Sequence, residues 1–84
     1  MVSGRVYKIV ENSYPDVVVY VGSTVLTLPE RWCIHKSDCS GKRMDKPPYT
    51  YINERGGTGN FCVVLLEEGE FESRPALRMR EEEY

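Results

Sequence analysis

The stretch that most constrains this chain is Val17-Val18-Val19-Tyr20-Val21, closed by Gly22, Ser23 and Thr24. An almost unbroken β-branched run reads as a buried strand, and it is expected to be central to the sheet. Gly22 ends it, where a missing Cβ permits either a close approach to the backbone or a positive φ. Thr27 and Glu30 then stand three apart, the spacing of a capping box. Pro29 falls in the first helical turn, where its missing N–H costs nothing. The spacing predicts a helix over 28–36, on which Arg31 and His35 are i and i+4 and share a face. Most such pairs are solvated and idle. This one follows directly on a strand carrying Tyr20, which makes it site-like.

A chain of 84 residues has room for one small core. With 40% hydrophobic and 29% charged residues it has the balance of a globular domain, not of a disordered or membrane-embedded chain. No apolar run approaches a membrane span, and the N-terminus lacks a signal-peptide pattern, so a cytoplasmic or nuclear setting is expected. Cys33, Cys39 and Cys62 are odd in number, which argues against a disulfide scaffold. Zinc is disfavoured too. No Cys-x-x-Cys occurs, and Cys33 and His35, two apart on a helix, point to different faces.

The formal net charge is −2, but its distribution is uneven. Between 31 and 46, Arg31, Lys36, Lys42, Arg43 and Lys46 face only Asp38 and Asp45. Between 67 and 84, seven glutamates face three arginines. A phosphate-facing middle and a metal-facing or solvent-facing end would fit, though ordinary solvated surface accounts for charge alone.

Along the chain, Arg5–Val10 alternates polar and apolar residues and reads as a first strand. Residues 11–16 are turn formers, so a longish loop should join two antiparallel strands. After the helix, residues 37–48 form a loop ending in Pro47-Pro48. A short helix over 49–55 stops at Gly56-Gly57. Phe61–Leu66 is a third strand, apolar enough to be buried. Ser73 then caps a last helix with Pro75 in its first turn. The order β-β-α-α-β-α predicts a small α+β domain, a three-stranded antiparallel sheet flanked by helices.

A Val-Tyr pair in strand one, Tyr-Val-Gly-Ser-Thr closing strand two, and Arg and His on the next helix resemble the GIY-YIG nuclease family. The later segments agree: Tyr51-Ile52 before a glycine, Asn60-Phe61 opening a strand, Leu66-Glu67-Glu68 closing it, and Arg80-Glu81 near the end. Each motif is weak alone, but their joint order spans the chain from about Arg5 to Tyr84. Two departures stand out. Arg5 replaces the first motif's glycine, and no counterpart can be assigned to the asparagine that family members usually supply from a further segment. A truncated single domain over 1–84 is therefore expected.

The resemblance implies metal-dependent cleavage of DNA phosphodiesters. Tyr7 would help deprotonate the attacking water, with His35 accepting its proton, because a phenol of ordinary pKa about 10 is a poor base unaided. Arg31 would grip the phosphate oxygens with its planar donor fork. Tyr20 would hold water or phosphate, and Gly22 would leave room for the substrate backbone. Glu81 would bind one divalent cation, Mg²⁺ or Mn²⁺. Helical spacing places Leu77, Glu81 and Tyr84 on one face, turning Glu81 to the protein and Glu82 and Glu83 to water. Lys36, Lys42, Arg43 and Lys46 would meet the DNA backbone. Sequence preference would come from a separate DNA-binding domain or partner subunit. The alternative is a catalytically idle member that binds nucleic acid or a protein.

Overall fold

A computed structural model of the chain describes residues 1–41 and 45–84. Three strands form one antiparallel sheet: β1 (Val2–Glu11), β2 (Tyr14–Thr24) and β3 (Phe61–Phe71), in the order β2-β1-β3. Helix α1 covers Leu28–Ser40, α2 Tyr49–Glu54 and α3 Arg74–Glu81, with a 3₁₀ turn at Thr58–Asn60. The expected element order and sheet are therefore present. No described helix is long and apolar enough to cross a membrane.

The central strand is β1, not the β-branched run. β1 pairs on both sides, so Val6, Tyr7, Ile9 and Val10 are all buried. β2 pairs on one side only, and Val17 and Val18 remain 47% and 46% exposed. The apolar run was expected to be buried. Its outer end instead lies beside Pro47, Pro48 and Tyr51, lining an apolar groove of about 530 Å³. β3 departs in the same way: Phe61 is buried, while Val64 and Leu65 are exposed. Periodicity reports which residues could be buried, whereas strand order decides which are.

The hairpin is tighter than expected. Pairing resumes at Glu11↔Tyr14, so only Asn12 and Ser13 lie between the strands. Pro15 and Asp16 sit within β2, where the pairing register shifts near Val10. An edge strand tolerates a proline, because its missing N–H need not face a partner. β3 likewise continues past Leu66 to Phe71, pairing with β1 back to Val2. Its glutamates suit an exposed edge, where charge discourages pairing with another chain.

The two faces of β1 have different occupants. Tyr7 and Ile9, two residues apart, share one face and pack with Cys39, Tyr49, Ile52 and Phe61. Burying side chains of this size contributes roughly 1.5–3 kcal/mol each before the entropy cost of ordering them. Gly4 lies on the other face, and a Cβ there would stand 2.6 Å from Leu77 Cδ2. That absent side chain lets α3 approach the sheet. Ser73 caps α3 through Ala76 N–H at 3.3 Å.

Arg5, the residue in place of the expected glycine, forms a tie across the sheet. Its guanidinium donates to the Leu26 carbonyl at 3.0 Å and pairs with Glu68 at 2.6 Å. It therefore fixes the segment that leads from β2 into α1.

Candidate functional site

α1 begins as its sequence requires. Thr27 Oγ1 accepts from Glu30 N–H at 3.4 Å, and the Glu30 carboxylate accepts from Thr27 N–H at 3.3 Å. These bonds to Thr27 hold the Glu30 carboxyl below its usual range. The helix runs one turn beyond the expected residue 36, to Ser40. It carries Arg31 and His35 down onto the face of β1 that presents Tyr7.

The four expected residues meet there. Tyr7 Oη lies 2.7 Å from His35 Nε2, and Arg31 Nε–H donates to Tyr7 Oη at 3.2 Å. The Tyr20 ring is 6.3 Å from Tyr7 and 5.7 Å from His35, centroid to centroid. Register explains the convergence: Ile9 pairs with Tyr20 and Tyr7 with Gly22, so both tyrosines project from the same face. Gly22 has no positive φ. A Cβ on it would stand 2.6 Å from Tyr7 Oη and 2.6 Å from Tyr20 Cε2. The space the sequence reading assigned to substrate is filled by the two tyrosines.

His35 is 1% exposed and ringed by aromatics, with Tyr7, Tyr20, Trp32 and Tyr49 centred 5.7–6.3 Å away. Burial, reinforced by the Arg31 charge, lowers its pKa to about 4. Its imidazole is neutral at neutral pH. Tyr7 is buried and its pKa is raised, burial outweighing the Arg31 guanidinium that pulls the other way. Tyr20 is raised as well, by burial and then by the Glu81 charge. Both phenols are protonated at neutral pH. Tyr7 can accept a proton from water only by releasing its own, and Nε2 of His35 is placed to receive it.

Two residues outside the sequence reading of the site complete this group. Tyr49 Oη lies 2.9 Å from His35 Nδ1, and it donates to Asp38 Oδ2 at 3.3 Å. Burial, then the Asp38 charge, pushes the Tyr49 pKa up to about 12. Tyr49 opens α2 behind Pro47-Pro48, and its approach to His35 crosses 14 residues of chain that no spacing rule links.

Glu81 ends α3 half-buried, with Glu82 and Glu83 exposed, as helical spacing requires. It accepts a hydrogen bond from Ser23 Oγ. Ser23 pairs with Val6, so this contact lies on the α3 side of the sheet, at the rim. The carboxylate is still near enough to raise the pKa of Tyr7 and Tyr20. Arg80 and Tyr84 instead engage Glu67, at 2.8 Å and 2.7 Å.

The donor set around Glu81 is sparse. Among the described residues no group of three or more His, Cys, Asp or Glu side chains gathers to hold an ion. A single carboxylate suits Mg²⁺ or Mn²⁺, which commonly keep several waters and take substrate phosphate oxygens as ligands. Cys33 is exposed, Cys39 buried and Cys62 half-buried, and all three are free thiols.

A groove of about 580 Å³ opens beside Tyr20 and Arg31 and is walled by Asp38, Lys46, Pro48 and Tyr49. Lys46 thus joins the site's border, whereas Lys36 is exposed on α1 and does not line the groove. Lys42 and Arg43, the other two expected contacts, lie outside the described residues.

The chain is 37% identical over its whole 84 residues to the Invertebrate iridescent virus 6 protein named "Putative MSV199 domain-containing protein 146R". It spans about 33% of that curated relative's length. No family model matches the chain. No solved structure matches it.

Proposed function

We propose that this chain is a GIY-YIG-type nuclease domain that hydrolyses DNA phosphodiester bonds with one Mg²⁺ or Mn²⁺. The observation that carries the reading is the meeting of Tyr7, Tyr20, Arg31 and His35 on one face of the sheet. These groups come from two strands and a helix, and the roles the resemblance implies require them to be together.

In-line hydrolysis needs a deprotonated water and donors aimed at the charge that grows on the phosphoryl oxygens. Tyr7 takes the water's proton as its own passes to His35. Arg31 stabilises the non-bridging oxygens, with its Nε–H fixed on Tyr7 and the rest of its fork open to the groove. Tyr20 orients water or phosphate from the groove wall. Glu81 would hold the divalent cation, which would supply positive charge against the phosphate and the leaving oxygen. Lys46, with Lys36, Lys42 and Arg43, attracts the backbone without reading bases. Specificity comes from a partner domain or subunit.

Nicking of supercoiled plasmid tests the reading. Cleavage is expected with Mg²⁺ or Mn²⁺, and it should be lost on chelation and in Tyr7→Phe. A folded wild-type chain that binds DNA but never nicks it, at any divalent concentration, supports the idle binding module instead.

A further inference from the structure

The hydrogen bonds around His35 can be assigned proton by proton. A carboxylate is an acceptor only, so the bond between Tyr49 and Asp38 uses the Tyr49 proton. Tyr49 Oη has no second proton, so the bond to Nδ1 at 2.9 Å must be donated by Nδ1–H. The other end agrees. With its proton on Nδ1 the neutral ring has a bare Nε2, which at 2.7 Å receives the Tyr7 proton, while Arg31 Nε–H donates to a lone pair of the same oxygen. The Tyr49 end therefore places the imidazole proton on Nδ1, and the Tyr7 end accommodates it.

We propose that Tyr49 and Asp38 are positioning residues that hold His35 as its Nδ1–H tautomer, with a bare Nε2 facing the Tyr7 hydroxyl. The opposite tautomer would present N–H to Tyr7 and could accept nothing from it. The kinetic consequence rests on the nuclease reading above; the tautomer itself does not.

The step balances simply. The O–H bond of water breaks and its proton goes to Tyr7 Oη as the Tyr7 proton goes to Nε2. The hydroxide oxygen bonds to phosphorus, the bond to the leaving oxygen breaks, and that oxygen takes a proton from solvent. Nε2 then returns its proton through Tyr7 to solvent. The imidazolium formed meanwhile is buried beside Arg31 and between Tyr7, Tyr20 and Tyr49, surroundings that disfavour positive charge. Asp38 supplies the compensating negative charge through the Tyr49 hydroxyl. In this it resembles the outer carboxylates that fix histidine orientation in metal and triad sites.

The chain has one histidine, so its ring nitrogens can be observed without ambiguity. Long-range proton–nitrogen correlation on nitrogen-15-labelled protein near neutral pH, with no DNA present, should show Nδ1–H dominant. A dominant Nε2–H form overturns the assignment. Asp38→Ala leaves Tyr49 in place but frees its proton to turn onto Nδ1, so the tautomer should invert. Tyr49→Phe should remove the preference. A merely structural role would lower the melting temperature without inverting anything, so an unchanged Nδ1–H signal in Asp38→Ala overturns the proposal. Nicking by Asp38→Ala should fall by roughly ten- to a hundredfold at saturating DNA, the scale of outer-partner effects on oriented histidines. If wild type nicks and Asp38→Ala nicks as fast, the positioning role is wrong. If wild type does not nick, the nuclease reading falls, and the tautomers of the two proteins alone decide the positioning role.

Discussion

Tyr7 Oη and His35 Nε2 lie 2.7 Å apart although 28 residues separate them in the chain. That bond joins the central strand to the first helix in the buried core, where both residues are 1% exposed or less. The same groups that would carry chemistry also hold the fold together. Substitutions here must therefore be read by stability as well as by rate.

Acid should expose this directly. His35 titrates near 4 in the folded chain and near 6.5 when unfolded. Between those values the unfolded state binds the extra proton, so stability rises with pH there. The contribution is complete above pH 6.5 and is lost as pH falls towards 4. At about 1.4 kcal/mol per pKa unit the whole effect is roughly 3 kcal/mol. Chemical denaturation of wild type and His35→Gln across this window should give a difference that shrinks as pH falls. Parallel curves would mean that the histidine is already charged or already solvated.

Gly22→Ala should be costly to the fold, at a position whose missing Cβ was expected to make room for substrate. Its Cβ would meet Tyr7 Oη and Tyr20 Cε2 at 2.6 Å, and Tyr7 is pinned by His35 and Arg31. Overpacking of this kind typically costs about 1–3 kcal/mol. Gly69→Ala is the control, because nothing lies within 4 Å of its added Cβ. Urea midpoints should separate the two variants clearly. Equal midpoints would show that the tyrosines can move aside.

Much of this arrangement was legible in the sequence, and the exceptions have physical causes. The Thr27–Glu30 box and the i, i+4 pair are local, so spacing alone locates α1 and its shared face. Leu77 likewise fixes the register that turns Glu81 inward. What spacing could not show is strand order, so Val17 and Val18 looked central yet lie on an edge. Nor could it show Tyr49, which reaches His35 only through tertiary packing, or Asp38, which shares α1 with His35 but lies past the expected helix end at 36. Their types gave no signal, since a tyrosine after two prolines reads as a helix start.

Lys46 borders the groove beside Arg31 and should contribute to DNA binding through charge alone. Each neutralised phosphate contributes a slope of about −0.9 in the logarithmic dependence of binding on salt. Lys46→Ala should therefore weaken binding to unrelated sequences alike and flatten that slope by about one unit. Fluorescence anisotropy with two dissimilar duplexes, over a range of salt, measures both. A loss confined to one sequence would assign Lys46 to base contact instead.

Glu81 is the remaining test of the reading, because it alone among three consecutive glutamates faces the protein. It accepts from Ser23 and raises the pKa of Tyr7 and Tyr20, while Glu82 and Glu83 are exposed. Glu83 is also paired with Arg80. Glu81→Ala should abolish metal-dependent nicking while leaving DNA affinity intact. Its cost to folding should be small, on the order of 1 kcal/mol for one partly solvated hydrogen bond. Glu82→Ala and Glu83→Ala should cleave nearly as wild type does. Calorimetric titration with Mn²⁺ adds a readout that does not depend on turnover, since heat of binding should vanish only in the Glu81 variant. Full cleavage by Glu81→Ala, or loss in Glu82→Ala, would place the cation elsewhere on the rim.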